Sequence, residues 1–365
     1  MPVLQRSNPS NLFAWDYEKL ASSFAQWPYP IVDVHSHING KEASRLYARV
    51  AKLYGVGLTY SMTQFQHVSW VRDALGDRVR FIAVPDWMDP DRKHAHGRGF
   101  LQRIEQFHEL GSRVCKFWAA PRGIDLGIQS GDPAMLTLDS PQRLEAMKLA
   151  ASLGMIFMTH VSDPNTWFAT KYADAKTYGT KLDQYKPLEK LLDQFTQPWI
   201  AAHMGGWPED LDFLSKLLSR HANLYLDASA CKWMVREVSV HTPAERIEFL
   251  TRFQGRVLFG SDIVTVDEHL MPAKEKTEMA AKADTPEDAF DLYASRYWAL
   301  RTLWETDFVG LSPIADPDLH MVDPKKYAAD ASPMLRGVRL PAHLLKSLYF
   351  DAADALLETL HVRPI

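Results

Sequence analysis

Two histidines placed two residues apart are the part of this sequence best suited to chemistry. His35 and His37 follow the apolar run at residues 31–34, which has the composition of a short buried strand. In a strand, side chains at i and i+2 point to the same face, so both imidazoles would project into one space and could hold one metal ion. By itself the pair is explained equally well by packing or hydrogen bonding inside a barrel. A metal site is predicted only if other parts of the chain supply partners.

Polar residues also occupy the ends of later apolar runs. Lys116 lies in the fourth run, His160 ends the fifth, His203 lies in the sixth and Asp262 ends the eighth. Apolar residues precede each of them, so each polar group would arrive at the rim of a packed core. Active sites of parallel barrels are built at the C-terminal ends of the strands. We therefore predict that the histidines and Asp262 share one metal site.

Short apolar runs and helical patterns alternate along the chain, and these elements must position the polar residues. The eight predicted strands are Ile31–His37, Val56–Met62, Val79–Asp86, Val114–Trp118, Met155–His160, Trp199–Met204, Leu224–Ser229 and Val257–Asp262. Helical patterns occur at Glu42–Leu53, Gly99–Leu110, Ser140–Leu153, Pro187–Phe195, Glu209–Leu218 and Thr242–Phe253. Each parallel pair of strands needs a crossover helix, so the alternation predicts an α/β fold, a (β/α)8 TIM barrel. The alternative, an open doubly wound sheet, is disfavoured because no glycine-rich phosphate turn follows the first strand.

Length and composition indicate an ordinary globular protein. The 365 residues could form two average domains, but α/β barrels of this size are single domains. We predict one domain over residues 1–365, with an N-terminal extension at 1–30 and a long helical insertion at 264–340. A net charge of -4 gives no sign of binding to nucleic acid or a membrane surface.

Two features of the sequence bear on cellular location. Cys115 and Cys231 lie in or just after apolar runs, which predicts buried thiols in a reducing compartment. The first eleven residues lack the apolar core of a signal peptide, and no stretch approaches 18 consecutive apolar residues. We expect a cytoplasmic protein.

The motifs around these polar residues resemble those of the amidohydrolase superfamily. The similar segments are the His35 and His37 pair, Met158-Thr159-His160, Ala202-His203-Met204-Gly205-Gly206 and Phe259-Gly260-Ser261-Asp262. Over residues 31–360 the chain most resembles the amidohydrolase-related branch, which includes aminocarboxymuconate-semialdehyde decarboxylase and lactone or amide hydrolases. The resemblance implies one divalent ion, commonly zinc, held by His35, His37, His160 and Asp262, with His203 beside it as a catalytic group. The run Tyr349-Phe350-Asp351-Ala352 departs from the Tyr-x-Asn-Ala that such proteins often show.

Lys116 has two interpretations. In binuclear members of the superfamily, a carboxylated lysine on the fourth strand bridges two metals, and Lys116 lies on the matching strand. The alternative, which we favour because the branch usually works with one metal, is a charged lysine that orients a carboxylate of the substrate. A second His-x-His, His94-Ala95-His96, lies in a polar basic stretch and is predicted to be a solvated loop or helix entry rather than a metal site.

The loops after the strands suggest an anionic, partly apolar substrate. Large aromatic residues and cations alternate there, and an arginine near a metal commonly holds a carboxylate. The predicted substrate-binding residues are Lys116, Trp118, Arg122, Trp167 and Arg296, and further loop cations are Lys171, Lys232 and Arg236. The aromatic stripe that contains Arg296, from Tyr293 to Trp304, is more typical of core packing or a subunit contact, such as that of a homodimer, than of a lid.

Metal-assisted hydrolysis is the predicted reaction. A bound ion lowers the pKa of its water toward about 7, Asp262 accepts the proton of that water, and His203 polarises the carbonyl or holds the oxyanion. Two alternatives stay open: metal-dependent decarboxylation of an aromatic or muconate-like acid without hydrolysis, and a catalytically inactive metal-binding barrel.

Overall fold

One parallel sheet forms the centre of the molecule. The structure, a computed structural model, describes residues 8–272 and 275–362, so the first seven residues of the predicted N-terminal extension lie outside the described residues. In the order β8-β7-β6-β5-β4-β3-β2-β1-β9, nine strands are hydrogen-bonded side by side. Their bounds are β1 Ile31–His37, β2 Val56–Ser61, β3 Val79–Ala83, β4 Val114–Trp118, β5 Ile156–His160, β6 Trp199–Ala201, β7 Leu224–Asp227, β8 Val257–Leu258 and β9 Ile263–Val264.

The sheet closes through two short strands, β8 and β9, where one eighth strand, Val257–Asp262, was expected: β8 covers the first two residues of that prediction, and β9 begins just after its end. β8 pairs with β7, and β9 pairs in parallel with β1, where Ser36 lies opposite Ile263. Between β8 and β9, the Val34 N–H donates to the carbonyl oxygen of Phe259 at 2.9 Å. The chain therefore forms a TIM barrel, as the alternation of strands and helices predicts.

Helices surround the barrel and pack on it through amphipathic faces. In one of them, Leu188, Leu191 and Leu192 recur at helical spacing and are buried. The helices are α1 Tyr17–Ala21, α2 Glu42–Leu53, α3 Val68–Leu75, α4 Arg92–His96, α5 Arg98–Glu109, α6 Gly123–Gln129, α7 Pro141–Ser152, α8 Asn165–Phe168, α9 Ala175–Tyr178, α10 Tyr185–Gln194, α11 Ala202–Gly205, α12 Leu211–Arg220, α13 Trp233–Val238, α14 Pro243–Arg252, α15 Pro286–Glu305, α16 Pro317–Val322, α17 Ala342–Lys346 and α18 Thr359–Val362. None of the described helices has the length and apolar character needed to cross a membrane.

The stretch after the eighth strand is helical only in part. It contains α15 and α16, but also an antiparallel pair, β10 (Val309–Leu311) and β11 (Met334–Arg336). The aromatic stripe of α15 is buried, which confirms the prediction of core packing, and the Tyr297 hydroxyl donates to Asp33 of β1 at 2.7 Å. Cys115 and Cys231 are free and buried, as expected. The inserted helix thus supports the barrel strand that carries the histidine pair.

Candidate functional site

The histidine pair and Asp262 face one another at the C-terminal rim of the barrel. His35 Nε2 lies 3.5 Å from Asp262 Oδ1, and His37 Nε2 lies 3.4 Å from the same oxygen. His35 is buried, whereas about a third of the His37 and Asp262 side chains is exposed. The two imidazoles therefore project into a common space, as the strand spacing predicts, and that space opens to solvent on the Asp262 side.

A break in the eighth strand places Asp262. This residue has a φ of 58°, a left-handed conformation that is uncommon outside glycine, and it lies between β8 and β9. The Asp262 N–H donates to the His35 carbonyl oxygen at 2.7 Å, which ties the break to the histidine strand. A side chain at Gly260 would bring its Cβ within 2.9 Å of His35 Cβ, so this close approach requires glycine.

His203 lies in a left-handed turn rather than in a strand. The sixth strand was predicted to run to Met204, but β6 ends at Ala201, and both His203 and Met204 have positive φ. Such conformations cost on the order of 1–3 kcal/mol each and persist where the surroundings hold them. Here the His203 N–H donates to Asp227 Oδ1 at 2.9 Å. The turn directs the buried imidazole toward His35, with ring centroids 4.8 Å apart.

Asp227, at the end of β7, fixes the proton positions of two imidazoles. Its Oδ2 accepts from His35 Nδ1 at 2.8 Å, and its Oδ1 accepts from the Ser229 hydroxyl. Because the single hydroxyl proton of Ser229 goes to the carboxylate, Ser229 Oγ must accept from His203 Nδ1, at 2.7 Å. Both rings therefore carry their proton on Nδ1, and each keeps an unprotonated Nε2.

Asp227 is absent from the sequence-based prediction of the site, although it shows the pattern by which the other site residues are predicted. It is a polar residue at the C-terminal end of an apolar strand, Leu224–Asp227. The predicted strand extends to Ser229, which places the aspartate inside the strand, whereas β7 of the structure ends at Asp227. The structure shows it fully buried behind the histidines.

Burial and charge set the protonation states that a metal site needs. Burial lowers the pKa of His35, and it holds the pKa of His203 well below the usual value, so both rings are neutral. Burial alone would raise the pKa of Asp262, but the adjacent imidazole of His37 and the nearby imidazoles of His203 and His35 hold this pKa well below its usual value. The site offers neutral nitrogens and an ionised carboxylate.

The spacing of these atoms fits a metal ion. Ligand atoms about 2.0–2.2 Å from a tetrahedral zinc lie roughly 3.3–3.5 Å from one another, and the two distances to Asp262 Oδ1 fall in this range. They are longer than the 2.7–2.9 Å of a charge-assisted hydrogen bond. Among the described residues, His35, His203 and Asp262 are the group whose ligand atoms all lie within 4.8 Å of one another.

His160 stands beside this group and uses Nε2 elsewhere. Its Nε2 lies 3.0 Å from Oδ1 of Asp163, a buried carboxylate that also accepts from the Tyr172 hydroxyl at 2.9 Å. The His160 ring meets the His203 ring edge-on, with centroids 4.6 Å apart. The nitrogen that remains for a metal or a substrate is therefore Nδ1. Asp163 was not among the predicted site residues, because the three-residue spacing carries no signal in a loop.

Lys116 lies in the barrel interior beneath the histidines. Its side chain is 5% exposed, and its Nζ has no hydrogen-bond partner in the part of the chain that the structure describes. Burial lowers the pKa of Lys116 to about 8, while Asp227 and Asp262 act in the opposite direction. A buried ammonium without a partner is costly, which is a common feature of functional sites.

The other predicted substrate-binding residues are more scattered. The Trp118 ring is 6.4 Å from the His160 ring, so it borders the site. Trp167 donates to Asp318 at 2.7 Å, and Arg122 lies 3.8 Å from Glu278 on the exposed rim. Arg296 is buried and donates to Ser10 and Ser295, both at 2.9 Å. The substrate-binding roles of these residues stay predictions.

The second His-x-His lies apart from the site. Arg92–His96 forms α4, as a helix entry would, and His94 is exposed. His96, however, is buried against Trp87, with ring centroids 4.7 Å apart, and is therefore not solvated as predicted.

Comparison with protein families gives one match, to a family described as amidohydrolase, over residues 40–295. The chain belongs to the amidohydrolase family. The matched region starts just after the histidine pair and includes His160, His203 and Asp262. Membership of this family supports an enzyme with amidohydrolase-type chemistry, although no curated protein matches the chain.

Solved structures with low sequence identity are also similar to this amidohydrolase. An uncharacterised TIM-barrel protein from Bordetella bronchiseptica is 12% identical, with 92% of this chain and 100% of that chain covered and a TM-score of 0.48. A probable 2-pyrone-4,6-dicarboxylic acid hydrolase from Acinetobacter baumannii is 12% identical (74% and 93% covered, TM-score 0.41). A 5-carboxyvanillate decarboxylase from Novosphingobium aromaticivorans, solved with manganese, is 10% identical (91% and 96% covered, TM-score 0.41).

Proposed function

We propose that this amidohydrolase is a metal-dependent hydrolase that acts on an amide, lactone or ester carbonyl of a small anionic substrate. The observation that carries the proposal is the geometry at Asp262 Oδ1, which lies at ligand spacing from the Nε2 atoms of His35 and His37. The tautomer of His35 supports it, because Asp227 accepts a hydrogen bond from the His35 Nδ1–H and the Nε2 lone pair stays free. One divalent ion, zinc in the first instance, would occupy this space.

The ligand set that we propose consists of His35, His37, His160 and Asp262. His160 would bind through Nδ1, because Asp163 engages its Nε2, and this arrangement matches the carboxylate–histidine pairing common behind metal ligands. His203 faces the same space with an unprotonated Nε2. It would stand at the open position, where substrate and water meet.

A bound divalent ion would lower the pKa of a coordinated water toward about 7 and polarise a substrate carbonyl. The residues around it would then manage protons and orientation. His203 is a proton acceptor in this geometry, since its only N–H is given to Ser229. Either His203 or Asp262 would take up the proton of the attacking water and pass it to the departing oxygen or nitrogen as its bond to the carbonyl carbon breaks, so His203 would not hold the oxyanion as the sequence-based mechanism has it. Lys116, whose ammonium has no partner, is the donor available for the developing negative charge.

Two variants test the division of roles between the histidines. We expect His160→Asn to lose most bound metal after dialysis, and His203→Asn to retain metal but lose turnover by about 10²–10⁴-fold, the usual size of general acid–base catalysis. Elemental analysis and assays on a panel of small aromatic amides and lactones measure both effects. Loss of metal in His203→Asn with full retention in His160→Asn would instead make His203 the ligand.

A product assay distinguishes hydrolysis from its rival. The same purified enzyme would be offered the lactone and amide panel and a matched panel of aromatic and muconate-like acids. We expect water uptake with a new carboxylate from the first panel. Release of carbon dioxide without water uptake from the second would replace hydrolysis by decarboxylation, and inactivity on every compound by metal-loaded protein would favour the inactive barrel. Native mass spectrometry tests the carboxylated form of Lys116 by the mass of one added carbon dioxide.

A further inference from the structure

Most cations around the mouth of the barrel already have partners. Arg236 pairs with Asp316 and with Glu237, and Lys171 lies 3.5 Å from the centroid of the Trp167 ring. The charges of Arg236 and Lys171 therefore already interact with other groups of the protein. An arginine or lysine with such partners has little left to offer a substrate.

Three cations beside the proposed metal site form no ion pair with a carboxylate in the described ranges 8–272 and 275–362. Lys232 has no hydrogen bond or ion pair within the described residues, and Lys282 contacts only the Met279 sulfur, at 3.0 Å. Arg296 donates only to the neutral hydroxyls of Ser10 and Ser295. These three residues, named here the cation cluster, come from the loop after β7, a short 3₁₀ turn at Ala280–Lys282, and α15.

The cation cluster adjoins the residues proposed for catalysis. Lys232 immediately precedes Trp233, whose ring lies 5.7 Å from the His203 ring. Lys282 lies within electrostatic range of Asp262 and of Arg296, and Lys232 lies within range of both other cations. Burial, reinforced by these like charges, lowers the pKa of Lys232 to about 8. Asp316 opposes this effect at Lys232, and Asp262 and Glu278 oppose it at Lys282, but none of these carboxylates forms an ion pair with either lysine among the described residues. Like charges gathered without a contacting carboxylate repel one another, and a bound anion would relieve that repulsion.

We propose that the cation cluster is a subsite for an oxyanion group of the substrate, a carboxylate or a phosphate, held beside the carbonyl that reacts. The inference rests on the proposed hydrolase function and assigns the anionic part of its substrate to Lys232, Lys282 and Arg296. The subsite replaces exposed Arg122 as the main anion contact. Trp233, which follows Lys232 in the chain and whose ring lies 5.7 Å from the His203 ring, would form the wall that an aromatic or apolar part of the substrate contacts.

Binding of simple probes tests the subsite directly. Benzoate, phenyl phosphate and neutral benzamide are titrated calorimetrically into the purified, metal-loaded full-length protein and into Lys232→Met, Lys282→Met and Lys232→Arg. We expect either methionine variant to weaken the oxyanion probes by about tenfold or more, the size of one lost charge-assisted hydrogen bond, without affecting benzamide. Lys232→Arg should restore most of the affinity, and the tighter of the two oxyanions identifies the group.

The control is Lys52→Met, which removes an exposed lysine at the end of α2 on the opposite side of the barrel strands. Equal benzoate and phenyl phosphate affinity in wild type, Lys232→Met and Lys282→Met would overturn the subsite, as would failure of both probes to bind wild type. Metal content measured on the same samples keeps the two proposals apart. If the protein binds metal but the lysine variants bind the oxyanion probes as tightly as wild type does, only the subsite proposal is refuted. If the lysine variants bind these probes more weakly but the protein takes up no metal, only the hydrolase proposal is refuted.

Discussion

The polar groups around Asp227 and those of the cation cluster, both at the mouth of the barrel, differ in whether they have hydrogen-bond partners. Around Asp227, every described proton of the His35 and His203 rings has an acceptor, and the carboxylate is saturated by imidazole, hydroxyl and backbone donors. In the cation cluster, by contrast, the ammonium of Lys232 forms no hydrogen bond or ion pair with any residue that the structure describes. The first arrangement is that of groups prepared to hold an ion in a fixed position. The second leaves positive charge that no contacting carboxylate neutralises among the described residues, and a bound anion would neutralise it.

The largest effect on metal affinity and stability should come from a substitution that breaks the hydrogen bonds around Asp227. Asp227→Asn places an amide where His35 needs an acceptor, so the ring loses its fixed tautomer. We expect metal affinity to fall about 10–100-fold and the free energy of unfolding to fall by about 3 kcal/mol. Metal titration and urea denaturation measure these changes. The exposed Asp212→Asn on α12 is the matched control, and an Asp227→Asn protein that binds metal like this control would contradict the role given to Asp227.

A smaller loss of metal affinity is expected from a substitution at Asp163, the carboxylate that contacts His160. Asp163→Asn weakens the orientation of a single proposed ligand, so metal affinity should fall by about tenfold. Exposed Asp73→Asn, on α3, controls for the loss of one negative charge. If His160→Asn loses metal while Asp163→Asn binds it as tightly as wild type, His160 is a ligand but Asp163 does not position it.

Two lysines, buried Lys181 and half-buried Lys232, allow a direct comparison of stability between a cation with hydrogen-bond partners and a cation without them among the described residues. Lys181 donates to the carbonyl oxygens of Asp163 and Gly206 at 2.6 and 2.8 Å, whereas Lys232 donates to none. Lys181→Met should lower the free energy of unfolding by about 1.5–3 kcal/mol, the range for hydrogen bonds to a charged group. Lys232→Met should leave it unchanged or raise it slightly. Chemical denaturation at low salt checks both, and equal losses in the two variants would remove the distinction.

The smallest expected effect is a change in pH dependence. Burial lowers the pKa of Lys232 from 10.5 to about 8, so between these values the unfolded chain binds more protons than the folded one. Stability from this lysine therefore rises with pH across that window and is lost as pH falls through about 8. Lys232→Met should show a smaller rise from pH 8 to pH 10 than Lys52→Met does. An identical rise in both variants would show that Lys232 titrates normally.

The barrel and the strand ends that carry the candidate ligands could be predicted from sequence because both follow from short-range patterns. The strand period places His35 and His37 on one face, and the alternation of strands with helices brings distant strand ends to one rim. Left-handed turns at His203 and Asp262 could not be predicted in this way, since neither residue is a glycine and only the folded surroundings hold the conformation. The cation cluster could not be predicted from sequence either, because Lys282 and Lys232 are far apart in sequence and belong to irregular loops.

The count of bound metal tests the central claim most directly. Elemental analysis of purified wild-type protein after dialysis should find one divalent ion per chain, with the same value in His94→Asn, which alters an exposed histidine of the second His-x-His. His35→Asn should reduce that value to near zero. Wild-type protein without bound metal even after incubation with zinc or manganese, or His35→Asn protein with full occupancy, would contradict the assignment of the histidine pair as the anchor of a catalytic ion.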